Sequence, residues 1–238
     1  MMKTISALCL LCLLIAPFPV RAEQSVAKSI DLRPEFTKWR LPIKRQGARN
    51  TCAIFTLTSA FEYAYAKRWR RGGVRLSEEY LNWAANREMN DVEDGAIFSE
   101  LLKGFNRWGI CLEDYMPYGI YNPFYQPPAE AFDSAREFWS MGFVPHWIQQ
   151  GHAGGGLTDA DLEVARSMIR KGWPVCAGGE HCVLLVGYQE DPRQPGGGFF
   201  IVRNSATIRY ENMTYATAKP KFNTLLWIEL PNSPSHSQ

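Results

Sequence analysis

The chain has 238 residues, with 26 basic against 24 acidic side chains and 46% hydrophobic residues. That is enough apolar material for one domain with a substantial core. The near-balance of charge gives no ground for a nucleic-acid partner, and six cysteines in this length do not make a disulfide-stapled mini-domain.

Residues 1–22 read as a signal peptide: Lys3 gives a positive start, "ISALCLLCLLIA" is apolar but short for a membrane span, and "VRA" ends in a small residue with another at position −3. An uncleaved N-terminal anchor is the alternative. Cleavage after Ala22 removes Lys3, Arg21, Cys9 and Cys12, leaving 24 basic and 24 acidic residues and four cysteines. The expected product is secreted or periplasmic, with no stable membrane insertion. Residues 23–29 form a short leader, 30–232 one domain, and 233–238 a polar tail carrying His236. Eight or so leader residues leave no room for a long N-terminal inhibitory segment.

"SIDLRPEF" and "WRLPIKRQG" read as extended chain with prolines. Cys52 to about Arg70 reads as a helix, apolar over a broad face and ended by Gly72 and Gly73. The basic run Lys67 to Arg71 falls at its C-terminus, where cations suit the carbonyls. "LSEEYLNWAANR" is a second helix with Ser77 as N-cap, and "AIFSELLKGFNRW" a third, closed by Gly109. A Pro- and Tyr-rich connection, 117–128, precedes a helix in "AEAFDSAREFWSM". "GHAGGG", 151–156, is a flexible loop, and Thr158 with Asp161 makes a capping box before "LEVARSMIRKG". "WPVCAGG", "HCVLLVGY", "GFFIVRN" and "LLWIEL" are short, β-branched, aromatic and bounded by Gly or Pro, which predicts an antiparallel sheet. Helices first and sheet second define an α+β fold.

A thiol becomes a nucleophile as its thiolate, favoured at a helix N-terminus and beside an imidazolium. Cys52 opens the first long helix. Taken alone it reads first as a small buried hydrophobe. Of the four histidines, His236 lies in the tail, His152 in a glycine loop, and His146 in an aromatic stretch. His181 stands at the mouth of a core strand, where a general base would be rigidly held. Asn204 ends the next strand. Hairpin pairing brings its side-chain oxygen within reach of the imidazole, although a strand-end Asn is also an ordinary turn residue. A two-glycine turn at Gly178–Gly179 would set Cys176 opposite His181 and Val175 opposite Cys182, which disfavours a Cys176–Cys182 bridge. The Cys and His residues of 176–182 lack a paired knuckle, so no metal site is expected, and no cofactor is.

The order "QGARNTC", "EHCVLLVGY", "FFIVRNS" resembles the papain-like cysteine peptidases, and "SIDLR", "RLSEEYL" and "GICLEDYMPY" extend the likeness over residues 30 to about 230. The resemblance implies a helical left subdomain, an antiparallel β right subdomain and a cleft between them. It makes Cys52 the nucleophile, His181 the acid and base, and Asn204 its orienting partner. Gln46, six residues before the nucleophile, becomes an oxyanion donor beside the Cys52 backbone N–H. It places the specificity-pocket floor near Asp94 and Gly95. A protein or peptide substrate follows, with a proteinaceous inhibitor as a conceivable partner and a monomer as the expected state. The chain departs from the pattern where Arg49 replaces a disulfide-forming cysteine, Ala53 a tryptophan after the nucleophile, and Ala206 a tryptophan that shields the Asn–His bond. The short link from "PVCA" to "EHC" predicts a more open cleft. A cell-wall peptide amidase using the same Cys–His pair, and a peptidase fold retired to a binding module, are the rival readings.

Overall fold

A computed structural model of the chain describes residues 27–151 and 155–232. The expected signal peptide, most of the expected leader, His152 and the tail with His236 lie outside the described residues. The elements in chain order are β1 (Ser29–Asp31), α1 (Arg33–Lys38), α2 (Cys52–Trp69), α3 (Glu78–Met89), α4 (Phe98–Trp108), α5 (Ala129–Ser140), β2 (Val144–Gln150), α6 (Asp159–Arg170), β3 (Val175–Gly179), β4 (Val183–Glu190), β5 (Gly198–Asn204), β6 (Arg209–Thr214), α7 (Tyr215–Lys221) and β7 (Phe222–Glu229). The seven strands form one antiparallel sheet in the order β2-β7-β3-β4-β5-β6, with β1 paired to β4. Helices α2 to α5 make the other half, so the fold is α+β as expected.

Helix α2 is the keel between the halves. Thirteen of its 18 residues are buried, including Ile54, Leu57, Phe61 and Ala64. A helix apolar nearly all round can only sit inside. One side meets α3 and α4, the other β3, β4 and β7. Its end differs from expectation. Arg70 closes it in the left-handed conformation, two residues before the glycine pair. The basic side chains of its last turn bond to other segments: Lys67 donates to the carbonyls of Lys171 and Gly172, and Arg68 to those of Pro231 and Asn232. They tie α2 to distant loops.

Ser77 caps α3 by accepting the Tyr80 N–H, Gly109 closes α4, and Thr158 with Asp161 forms the capping box of α6. "RPEFTK" is a helix, not extended chain: Pro34 sits in the first turn, where its missing N–H costs no hydrogen bond. β2, β6 and α7 were not predicted. The β3–β4 register also corrects the two-glycine turn: Cys176 faces Leu184 and Val175 faces Leu185. The turn is longer, and Gly178 and Gly179 still pair with β7. The four cysteines of the described residues are free.

Candidate active site

The sheet and α2 bring Cys52, His181 and Asn204 together. Cys52 is the first helical residue of α2. The side chain of Thr51, the N-cap, does not accept a helix N–H. Its hydroxyl lies 2.7 Å from the Tyr118 phenol, which itself donates to the Gln46 carbonyl at 2.8 Å. The Thr51 hydroxyl must therefore donate to Tyr118. The first N–H groups of α2 are left without a side-chain cap, and such groups favour a negative charge.

His181 lies in the turn before β4, and Asn204 ends β5. The imidazole Nε2 is 2.9 Å from the Asn204 Oδ1. The amide's orientation follows from its other partners. The Ala206 N–H can only donate to Oδ1 (3.0 Å), and a Glu211 carboxylate oxygen can only accept from Nδ2 (3.3 Å). Nε2 therefore carries the proton and donates, leaving Nδ1 for Cys52. Glu211 is itself held by the Thr207 hydroxyl. This hydrogen-bonded bracket stands where the resemblance led one to expect a tryptophan. Asn204 is only 7% exposed.

Cys52 meets a second thiol, Cys182, directly after His181. The Cys182 S–H beside it, and next the His181 imidazole, hold the Cys52 pKa far below the ordinary 9.0 against the effect of burial. Cys182 moves the opposite way, raised first by Cys52 and then by burial. Cys52 raises the His181 pKa above 6.5, with help from Asn204, while burial and Lys221 oppose. The opposite shifts favour negative charge on Cys52 over Cys182.

Gln46 is buried, and both ends of its amide are assigned: Oε1 accepts from the Ser205 hydroxyl at 2.8 Å, and Nε2 donates to the Arg49 carbonyl at 3.1 Å. Nε2 carries two hydrogens and this bond uses one. The Gln46 N–H also donates to the Ser205 carbonyl, so β5 positions both Asn204 and the Gln46 loop.

Asp94 and Gly95 line a cleft of about 670 Å³ with Cys52 and Cys182. The helical wall carries Asn50, Asp91, Glu93, Phe98 and Glu100; the sheet wall carries Gln150, Gly178, Gly179 and Thr224. A Cβ on Gly178 would lie 2.8 Å from the Phe98 ring, so a side chain there would crowd the floor. The Asp94 carboxylate is bound by both Arg49 and Asn82. The Gly95 N–H donates to Asn82 Oδ1. Its φ of +116° and a Cβ position 2.2 Å from the Asn50 carbonyl admit only glycine. Among the described residues no group of side chains could hold a metal ion, and no helix is long and apolar enough to cross a membrane.

Sequence reasoning missed Ser205, Glu211 and Tyr118, and gave Cys182 no role. The one signal available was position: Ser205 directly follows Asn204, and Cys182 directly follows His181.

No family model matches the chain, and no curated protein matches its sequence. Solved structures do match the fold. Xylellain, a cysteine protease from Xylella fastidiosa, superposes with a TM-score of 0.65 at 16% identity, covering 87% of each chain. The digestive procathepsin L 3 of Tenebrio molitor larval midgut gives 0.63 at 18% identity, over 89% of this chain and 72% of that one. The proform of the ragweed pollen cysteine protease Amb a 11 gives 0.60 at 18%, over 89% and 69%. The fold is that of the papain-like cysteine proteases.

Proposed function

We propose that this chain is an exported cysteine endopeptidase. The observation that carries the reading is the His181–Asn204 hydrogen bond beside Cys52 at the uncapped start of α2, where the surroundings lower the Cys52 pKa. The Cys52 thiolate attacks the scissile carbonyl carbon. The negative oxygen forms against the second Gln46 Nε2–H and the Cys52 N–H, donors that stabilise the developing charge. His181 passes its Nδ1 proton to the leaving amine, and the tetrahedral adduct collapses to a thioester. His181 Nδ1 then takes a proton from water, the hydroxide attacks the thioester, and the acid product leaves as the thiolate is restored. Asn204 keeps the imidazole in the tautomer that both steps need.

Export through residues 1–22, a catalytic domain over 30–232, a polar tail at 233–238, and action as a monomer on protein or peptide belong to the same proposal. So does a substrate-side role for Asp94 and Gly95, through their backbone, since the Asp94 carboxylate is already bound. The test is hydrolysis of a peptide library by wild type and Cys52→Ala, beside iodoacetamide labelling of Cys52. Activity in wild type that disappears in the variant supports the reading; activity that survives the substitution in pure protein removes it. Cleavage confined to peptidoglycan peptides would transfer the site to an amidase.

A further inference from the structure

Arg49 stands three residues before Cys52, where the resemblance assigns a disulfide-forming cysteine. Its side chain does more than fill that space. The guanidinium donates through Nε and Nη2 to both oxygens of Asp94, each at 2.8 Å. Its Nη1 and Nη2 reach the Glu79 carboxylate of α3, and Nη1 also donates to the Gly119 carbonyl at 2.7 Å. Its flat face lies 4.3 Å from the centroid of Tyr118 and 5.3 Å from that of Tyr121. Two carboxylates, a carbonyl and two rings thus hold one largely buried cation; these partners raise its pKa although burial, the largest single influence, works against the charge.

The consequence lies in what this cluster touches next. The Arg49 carbonyl accepts from Gln46 Nε2, and the Tyr118 phenol under the guanidinium donates to the Gln46 carbonyl. The same phenol accepts the Thr51 hydroxyl, which ties down the residue whose carbonyl carbon bears the Cys52 N–H. The Arg49–Tyr118 pair therefore anchors both Gln46, through its Nε2 and its carbonyl, and Thr51, whose peptide link to Cys52 carries the second oxyanion N–H. We infer that Arg49 is a positioning residue that assembles the oxyanion site by an ion-and-ring clamp in place of a disulfide. The inference rests on the peptidase reading for the purpose of the site, but not for its geometry.

Two probes of Cys52 separate these. A peptidyl aldehyde adds to the thiolate to give a tetrahedral hemithioacetal whose oxygen needs those donors; iodoacetamide displaces iodide at a methylene carbon and needs only the thiolate. For Arg49→Met, aldehyde affinity and kcat are expected to fall by about 10²-fold, the size of a lost oxyanion donor, with KM within about threefold and the alkylation rate within about twofold. Arg49→Lys is expected to recover part of the loss, because it keeps the charge without the fork. Should Arg49→Met fail to fold, Tyr118→Phe leaves the cluster but removes both phenol bonds, with an expected loss of about tenfold in aldehyde affinity and no change in alkylation. Aldehyde affinity unchanged in these variants overturns the inference, as does alkylation falling in parallel with it. Wild type that binds the aldehyde and alkylates but cleaves no peptide overturns the peptidase reading alone, and the aldehyde series still decides the role of Arg49.

Discussion

At the scale of single residues, the Cys52–Cys182 contact is the least expected feature of the site. A neighbouring S–H can stabilise a thiolate as an imidazolium does, by hydrogen bonding to the charged form. Cys182→Ala removes that donor while keeping a small apolar side chain beside His181. The Cys52 pKa should then rise, and the pH at which iodoacetamide alkylation is half-maximal should move up; an unmoved midpoint shows that His181 alone holds the thiolate. In the intact site the reactive form is thiolate with imidazolium. It appears as pH rises through the depressed Cys52 value and disappears as pH rises further through the His181 value, which is lifted above 6.5. The profile of kcat/KM should be a bell with its acid limb below neutrality and its alkaline limb above pH 6.5. Asn204→Ala removes one of the contacts that raise His181 and should draw the alkaline limb downward. An alkaline limb that stays in place would mean that Cys52 alone sets it.

At the scale of elements, the parts with strong local signals were legible. The caps Ser77 and Thr158, the glycine closing α4 and the apolar runs of β4, β5 and β7 give enough physics to be read from the chain. β6, "RYENMT", was not, because it pairs at the sheet edge beside β5 with every residue at least partly exposed, so no apolar alternation marks it. β2 carries Pro145 and is half-exposed throughout, and α7 holds Pro220 inside a seven-residue helix. These elements form because β5 and β7 offer unpaired edges, which is tertiary information. The grouping of Cys52, His181 and Asn204 was legible because each sits at or beside an element's end. Ser205, Tyr118 and Glu211 were not, because their roles exist only once β5, β6 and the 117–128 connection meet the Gln46 loop. Lys44, just before that loop, is a second such case. Its ammonium is buried between Glu62 of α2 and Glu78 of α3, at 2.9 Å and 2.5 Å, and also donates to the Leu76 carbonyl. Burial opposes its charge, but the carboxylates prevail and raise its pKa. Burial raises Glu78 above its usual 4.5. Between that value and about 8 the folded chain holds more protons at Glu78 than the unfolded chain, so this group makes stability fall as pH rises through that window. Lys44→Met leaves the two buried carboxylates without their cation and should cost about 3–5 kcal/mol at neutral pH. The loss should shrink towards pH 5, where Glu78 holds its proton. Urea unfolding at the two pH values checks this, and an equal loss at both would show that packing, not charge, is what Lys44 supplies.

At the scale of the molecule, the two halves differ in charge where they face each other across the cleft. Asp91, Glu93, Asp94 and Glu100 line the helical wall, and among the described residues no Lys or Arg lines either wall. Asp94 is neutralised by Arg49. Asp91 and Glu100 accept only backbone N–H groups, and Glu93 is exposed with no ion pair among the described residues. Three carboxylates therefore remain uncompensated in a groove with low-dielectric walls, an arrangement that concentrates cations and repels anions. Peptides carrying Lys or Arg near the scissile bond should be cleaved with kcat/KM on the order of tenfold above matched Glu peptides. Salt shortens the reach of exposed charges to about 10 Å at 0.1 M, so the ratio should narrow as ionic strength rises. The double substitution Glu93→Gln with Glu100→Gln should narrow it at low salt without changing iodoacetamide alkylation of Cys52. A preference that ignores both salt and the double substitution would place selectivity in the shape of the floor around Phe98 and Gly178 rather than in the charge of the wall.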